Sequence, residues 1–341
     1  MAFLFCASGN VHSQAQMSIP ANFAVSAGGG ATYSVTIQVP PGTAGMQPAL
    51  GISYSSNGGN SLLGMGWSIN GLSAITRCST SFAQDGFRSG VNLDSNDRYC
   101  LDGARLMAVT ASAYNAVGQE YRTELEGFAR VFAIGPAYGS APSGFTVETK
   151  SGQKSYYVPI VSPGQATPFM WVVSVVTDKL NNCMAFSYGR GVAGDELYPT
   201  MIAYSGRFAA GTCNSTYNRV EFILDSVART DTDQMYVAGG ASSQKQRIKT
   251  IRTVSPMPAG VTATWVKEYR LDYGTGYSAA TSRTRLQSIE ECEGATGTCL
   301  PKTNFAWQEA ASTFSPSSEI QSANPIDWDL YGLRFPLNTL R

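Results

Sequence analysis

The sequence predicts an all-β protein built from multi-stranded antiparallel sheets. Short runs in which apolar and polar residues alternate recur through most of the chain, and that is the period of a half-buried strand. Glycine, at 35 of 341 residues, exceeds its usual share of ~7% and punctuates those runs. Few segments hold a 3.6-residue period over ten positions, so helices have little to build on.

The elements can be followed in order. No Asp, Glu, Lys or Arg occurs before Arg77, a composition that suits a buried or paired stretch better than a solvated leader. Tyr33-Ser34-Val35-Thr36-Ile37-Gln38-Val39 alternates and is stopped by Pro40-Pro41-Gly42. Gly51-Ile52-Ser53-Tyr54-Ser55 alternates again and breaks at Asn57-Gly58-Gly59, a strong turn pattern. Strand-length runs follow at 128–134, 144–149, 154–158, 171–176, 184–188, 219–224 and 268–273, and 245–254 reads as a strand with a charged outer face. The glycines at 58, 59, 64, 66 and 71 permit positive φ and close backbone approach, so tight turns can pack against Trp67, expected to be a buried structural anchor.

Three divisions are expected. Residues 1–15 have the form of a secretory signal remnant, with apolar Phe3-Leu4-Phe5 and a small-x-small Ser13-Gln14-Ala15 ahead of Gln16. Residues 16–308 form the β-rich domain, and 309–341, rich at first in Ser, Ala and Pro, read as a linker or a truncated or foreign tail.

Composition excludes several functions. The 24 basic and 24 acidic residues cancel, and no dense Lys/Arg cluster supplies the electrostatic attraction that nucleic-acid binding needs. No apolar run approaches the ~20 residues of a membrane-spanning helix. Setting aside Cys6 in the leader leaves Cys78, Cys100, Cys183, Cys213, Cys292 and Cys299, an even set suited to an oxidising, extracellular compartment. Six cysteines allow many pairings, of which sequence neighbours (78 with 100, 183 with 213, 292 with 299) form the simplest set. The absence of a Cys-x-x-Cys pair argues against a redox motif or zinc ribbon.

A longer ordered pattern carries a resemblance. The run from Tyr33 to Thr43, Gln47-Pro48, Ser53-Tyr54, the run from Asn60 to Ile69 and Gly71-Leu72-Ser73-Ala74-Ile75-Thr76-Arg77 closely resemble the N-terminal domain of the SpvB virulence-protein family. Asp97-Arg98-Tyr99-Cys100-Leu101-Asp102-Gly103 and Arg285-Leu286-Gln287-Ser288-Ile289 add to it, so that the likeness runs from about Ala24 to Trp307. That domain also begins Tc toxin B components and many Rhs-type proteins. The resemblance implies a β module in a hollow toxin shell, partnered by downstream β-propeller and YD-repeat segments or by other toxin subunits; a scaffold without cofactor and without catalysis is expected. Neither the repeats nor a payload is read within these 341 residues.

Enzyme readings find little support. The single histidine, His12, lies in the expected leader, which removes Ser-His-Asp, Cys-His and histidine-bearing zinc chemistry from the mature chain. An ADP-ribosyltransferase, the activity of the family's best-known member, would need an Arg well upstream of a Ser-Thr-Ser strand and a Glu-x-Glu loop. Ser79-Thr80-Ser81 and Glu124-Leu125-Glu126 are present, but no Arg precedes Arg77. Asp94-Ser95-Asn96-Asp97 fails the EF-hand pattern and reads as a polar turn. The competing non-enzymatic reading is an adhesin-like module that meets a host glycan or protein through some of its 17 tyrosines and 5 tryptophans.

Overall fold

A computed structural model describes residues 18–309 apart from 111, 257–263, 275–276, 279–280 and 295–296. The expected leader, His12 and nearly all of the expected tail lie outside the described residues.

The protein is all-β, with antiparallel sheets throughout. Eight consecutive strands between Ala74 and Thr177 pair neighbour to neighbour, and the last, Met170–Thr177, returns to pair with the first, Ala74–Cys78, through Trp171 opposite Ile75. The ring is a closed up-and-down barrel. Cross-strand register puts Ile75, Tyr99, Leu106, Tyr121, Val131, Phe145, Tyr157 and Trp171 on one surface, and all eight are buried. Eight strands leave an interior just wide enough for side chains to fill. Here Tyr99, Phe145 and Trp171 meet edge to face with centroids 4.9–5.4 Å apart, the arrangement the ring quadrupole favours. Burial raises the hydroxyl pKa of Tyr99 and Tyr121 well above the ordinary tyrosine value, so both phenols stay protonated inside the barrel.

The second half of Met170–Thr177 leaves the ring and starts a second sheet, a meander through Asn182–Arg190, Leu197–Ala209, Asn218–Leu224, Ile248–Val254, Trp265–Asp272 and Ser288–Glu293. Over its apolar face, which carries Ile202, Val220, Phe222, Ile251, Tyr269, Leu271 and Ile289, lies a four-stranded sheet made of Ala21–Val25, Ala31–Ile37, Leu50–Ser55 and Trp67–Asn70. The result is a sandwich. Three hydrogen bonds fix the small sheet on the large one where Pro40-Pro41 ends a strand: the Gln38 N–H donates to Tyr269 Oη at 3.0 Å, the Tyr204 hydroxyl to the Pro40 carbonyl at 2.9 Å, and the Asn218 amide to the Pro41 carbonyl at 3.2 Å.

Most expected strands are present with shifted ends. The run at 128–134 becomes Arg130–Tyr138, because Phe128 takes a positive φ of 56° and points into solvent. The run at 245–254 narrows to Ile248–Val254, and its charged face is only partly exposed: Arg247 is buried over the Tyr273 ring and paired with Asp225 at 2.8 Å. Among the described residues no helix is long and apolar enough to cross a membrane.

Candidate functional site

The most distinctive surface feature is an aromatic row across the small sheet. Antiparallel register sets Phe23 opposite Tyr33, Tyr33 opposite Tyr54 and Tyr54 opposite Trp67, so four rings from four strands stand side by side on the inner face. Such directly opposed pairs have Cβ atoms only ~4.5–5.5 Å apart and pack across the strands. Gly66 makes the end of the row possible. Its φ is +78°, and a Cβ there would sit 2.4 Å from the Tyr54 ring, so the turn before Trp67 requires glycine.

The chain's last described segment covers part of this row. Phe305 packs against Trp67 and Tyr33 with centroids 4.9 and 5.7 Å apart, and Trp307 meets Tyr54 edge to face at 5.5 Å. The Trp307 indole N–H donates to the Leu286 carbonyl at 2.9 Å, which anchors the segment. Exposure climbs along the row from Trp67, at 2%, through half-buried Tyr54 and Tyr33 to Phe23, at 66%. What remains open is a groove of about 350 Å³ lined by Phe23, Tyr33, Tyr54, Trp67, Phe305 and Trp307. Among the described residues that line it, the only ionisable groups are the Tyr33 and Tyr54 hydroxyls. The groove therefore offers π faces and apolar area, the means of binding an apolar or aromatic group.

The other sequence candidates distribute as follows. Trp67 is in the core, as its buried ring and neighbours show, and among the described residues its indole N–H has no hydrogen-bond partner. The structure joins Cys78 to Cys100, Cys183 to Cys213 and Cys292 to Cys299. Cys78 and Cys100 are diagonal neighbours on adjacent barrel strands, and Cys292 lies directly opposite Cys299. Cys183 and Cys213 belong to strands on either side of Leu197–Ala209, and their bridge passes over Gly206, where a Cβ would lie 2.8 Å from the Cys213 sulfur. Sequence reading missed Gly206 because only the pairing gives it a role. Glu290 lies with Cys292 and Cys299 in one group, but sulfurs joined in a disulfide offer no thiolate to a metal.

Ser79-Thr80-Ser81 and Glu124-Leu125-Glu126 do come near one another, linked by the Gln84 side chain, which donates to Glu124 at 2.9 Å. Their surroundings are those of surface turns. Ser81 caps a single helical turn, Phe82–Asp85, instead of lying in a strand, and Glu124, Leu125 and Glu126 are all exposed. The nearby Arg98 and Arg105 are both committed to Asp85, and their guanidinium groups, with the Ser81 N–H, outweigh burial and hold the Asp85 carboxyl below its ordinary pKa.

Asp94-Ser95-Asn96-Asp97 is a turn whose last residue does structural work. Asp97 is buried and pairs with Arg77 at 2.8 Å, while Arg77 also donates to the Pro168 and Asp94 carbonyls and the Ser140 hydroxyl. A second buried network joins Arg229, Asp231 and Thr284. Burial works against the ionised form of Asp231, but the Arg229 guanidinium and the Thr284 hydroxyl and N–H prevail and hold its pKa at about 2.

A side-chain-filled barrel fused to a sandwich with an aromatic opening defines an all-β module. Comparison with known proteins places it more closely. Residues 25–124 match the family model SpvB, described as the Salmonella virulence plasmid 65kDa B protein, so the resemblance read in the sequence holds. Among solved structures, the N-terminal domain of effector protein SpvB from Salmonella typhimurium strain LT2 is similar with a TM-score of 0.60 at 19% identity, over 76% of this chain and 98% of that domain. The TcdB2-TccC3 crystal structure is similar with a TM-score of 0.68 at 17% identity over 85% of this chain, and a Photorhabdus luminescens Tc holotoxin pore with a TccC3 mutation gives 0.68 at 17% over 88%. This chain spans 17% of the length of each of those two toxin chains. These likenesses show a shared fold. Curated proteins include no match.

Proposed function

We propose that this chain is a non-catalytic scaffold domain of a secreted bacterial toxin-type protein, made to be completed by further polypeptide. The observation that carries the reading is the half-covered aromatic row. A sandwich whose inner face ends in exposed Phe23 and Val25, at 66% and 65%, leaves apolar area in water that an adjoining module would bury. Filled interiors support it too, since barrel and sandwich offer surfaces more than chambers. The disulfide-bonded cysteines and the apolar leader support export, and the fold's occurrence within much longer toxin chains supports downstream shell modules as partners.

The exposed aromatics also favour one alternative, an adhesin-like module, because flat rings stack on sugar faces as readily as on protein. Two measurements decide. Supplied in trans with β-propeller and YD-repeat modules, a scaffold domain associates with them, whereas an adhesin remains a monomer that binds glycan arrays saturably. Incubation with labelled NAD and host-cell extract tests catalysis. Label transfer that is abolished by Glu124→Gln or Glu126→Gln would overturn the non-enzymatic reading.

A further inference from the structure

We infer that Glu290, Cys292 and Cys299 are the ligands of a Zn2+ site that exists only when the Cys292–Cys299 disulfide is reduced. The inference is independent of the scaffold reading, because it concerns the face of the large sheet turned away from the small one.

The strand Ser288–Glu293 alternates between two faces. Ile289 is buried in the sandwich, so Glu290 and Cys292 stand together on the opposite face. Cys299 lies directly across from Cys292 on the short strand Thr298–Cys299. The Leu300 N–H donates to the Glu291 carbonyl at 2.8 Å, a bond between the residue after Cys299 and the residue before Cys292, which makes the two cysteines a non-hydrogen-bonded pair. Such pairs bring side chains closest, with Cα atoms ~4.5 Å apart. The backbone thus keeps the sulfurs side by side whether or not a bond joins them. At a Zn–S distance of ~2.3 Å, two sulfurs on one tetrahedral ion are about 3.8 Å apart, within the reach of that pairing. The Glu290 carboxylate makes a set of three, since one of its oxygens and both sulfurs lie within 4.8 Å of one another.

The surroundings suit the charge of such a site. Arg270 is opposite Glu290, and its Nη1 lies 3.7 Å from Cys299 Sγ and 3.8 Å from the Glu290 carboxylate. From there it orients both ligands without touching the ion, the part that hydrogen-bonding neighbours of metal ligands ordinarily play. Its Nε is anchored on Glu268 at 2.7 Å. Two thiolates are too soft for Ca2+ or Mg2+, whereas tetrahedral Zn2+ takes sulfur and oxygen together and can keep its fourth position for water.

Opening the site requires a dithiol reductant. One thiolate of the dithiol attacks the sulfur of half-buried Cys299, since Cys292 is wholly buried; the S–S bond breaks and Cys292 leaves as a thiolate. The second sulfur of the dithiol then attacks the mixed disulfide and releases Cys299. The dithiol gives up two electrons and two protons and becomes a disulfide, both cysteines become thiols, and Zn2+ displaces their protons. Dithiol proteins of this kind keep cysteines reduced in the cytosol, where a chain is made, and an oxidising compartment closes the site again.

The test is alkylation of the full chain by iodoacetamide after phosphine reduction, with and without Zn2+, read cysteine by cysteine by peptide mapping. The expected result is that Zn2+ slows alkylation of Cys292 and Cys299 by about ten-fold or more and leaves Cys78, Cys100, Cys183 and Cys213 unchanged. Glu290→Gln should weaken Zn2+ binding by about ten-fold or more, no less than the loss of an outer-shell partner, whereas Glu293→Gln, on the other face of the strand, should not. Protection absent at Cys292 and Cys299, equal at all six cysteines, or indifferent to Glu290→Gln would sink the assignment. A reduced chain that has lost its near-ultraviolet circular dichroism would sink it too, because the site needs its two strands paired. Equal binding of Zn2+ by the unreduced chain would place the ion elsewhere and overturn the gating.

Discussion

Trp67 and Phe305, 238 positions apart in sequence, lie with ring centroids 4.9 Å apart and planes inclined by 59°. That contact joins the small sheet to the chain's last described segment and closes the interior of the sandwich. Trp67→Ala should cost ~3–5 kcal/mol, the range for removing a large buried aromatic side chain. Phe305→Ala should be destabilising as well, and the double variant should lose less than the sum, because each single change already breaks the shared contact. Urea denaturation provides the measurement, and a loss below about 1 kcal/mol for Trp67→Ala would place that ring outside the core.

Arg77 and Asp97 form the barrel's buried ion pair. Removing one partner leaves the other charged and desolvated, which costs ~3–5 kcal/mol. Arg77→Met should therefore be severely destabilising and should alter the near-ultraviolet circular dichroism of the Tyr99 and Trp171 cluster, over which the guanidinium sits at about 6 Å. If Arg77→Met melts as the wild type does, the pair is not an organising feature of the barrel.

Non-reducing peptide mapping of the exported protein should recover Cys78 with Cys100, Cys183 with Cys213 and Cys292 with Cys299. Loop length ranks their effects. On the chain-entropy argument the 30-residue separation of Cys183 and Cys213 gives roughly 3.6 kcal/mol and the 7-residue separation of Cys292 and Cys299 roughly 2.4 kcal/mol. Paired replacement by Ala should follow that order, and six free thiols in the exported protein would remove both the pairing and its support for secretion.

The low pKa of Asp231 gives the fold an acid sensitivity. A carboxyl at about 2 in the folded state against an ordinary 3.8 stabilises the fold above about pH 4, and the contribution fades as pH falls toward 2. Its size is on the order of 2 kcal/mol. Asp231→Asn should thus cost more stability at pH 6 than at pH 2. An equal loss at both would mean that the carboxylate's charge contributes nothing to folding.

The sequence by itself determined the strand-rich class, the family resemblance and the buried status of Trp67. Each is local information: a period of two, an ordered run of residues around a tryptophan, glycines where a turn needs them. It could not show that Trp171 returns to Ile75 and closes a barrel, since alternation says which face a residue takes and nothing about which strand lies beside it. Nor could it distinguish Asp97 in a polar turn from Asp97 in a buried ion pair, because Arg77 reaches it only after the barrel has formed. The aromatic row was invisible for the same reason. Phe23, Tyr33, Tyr54 and Trp67 have no common spacing along the chain, and only the register of four strands sets their rings side by side.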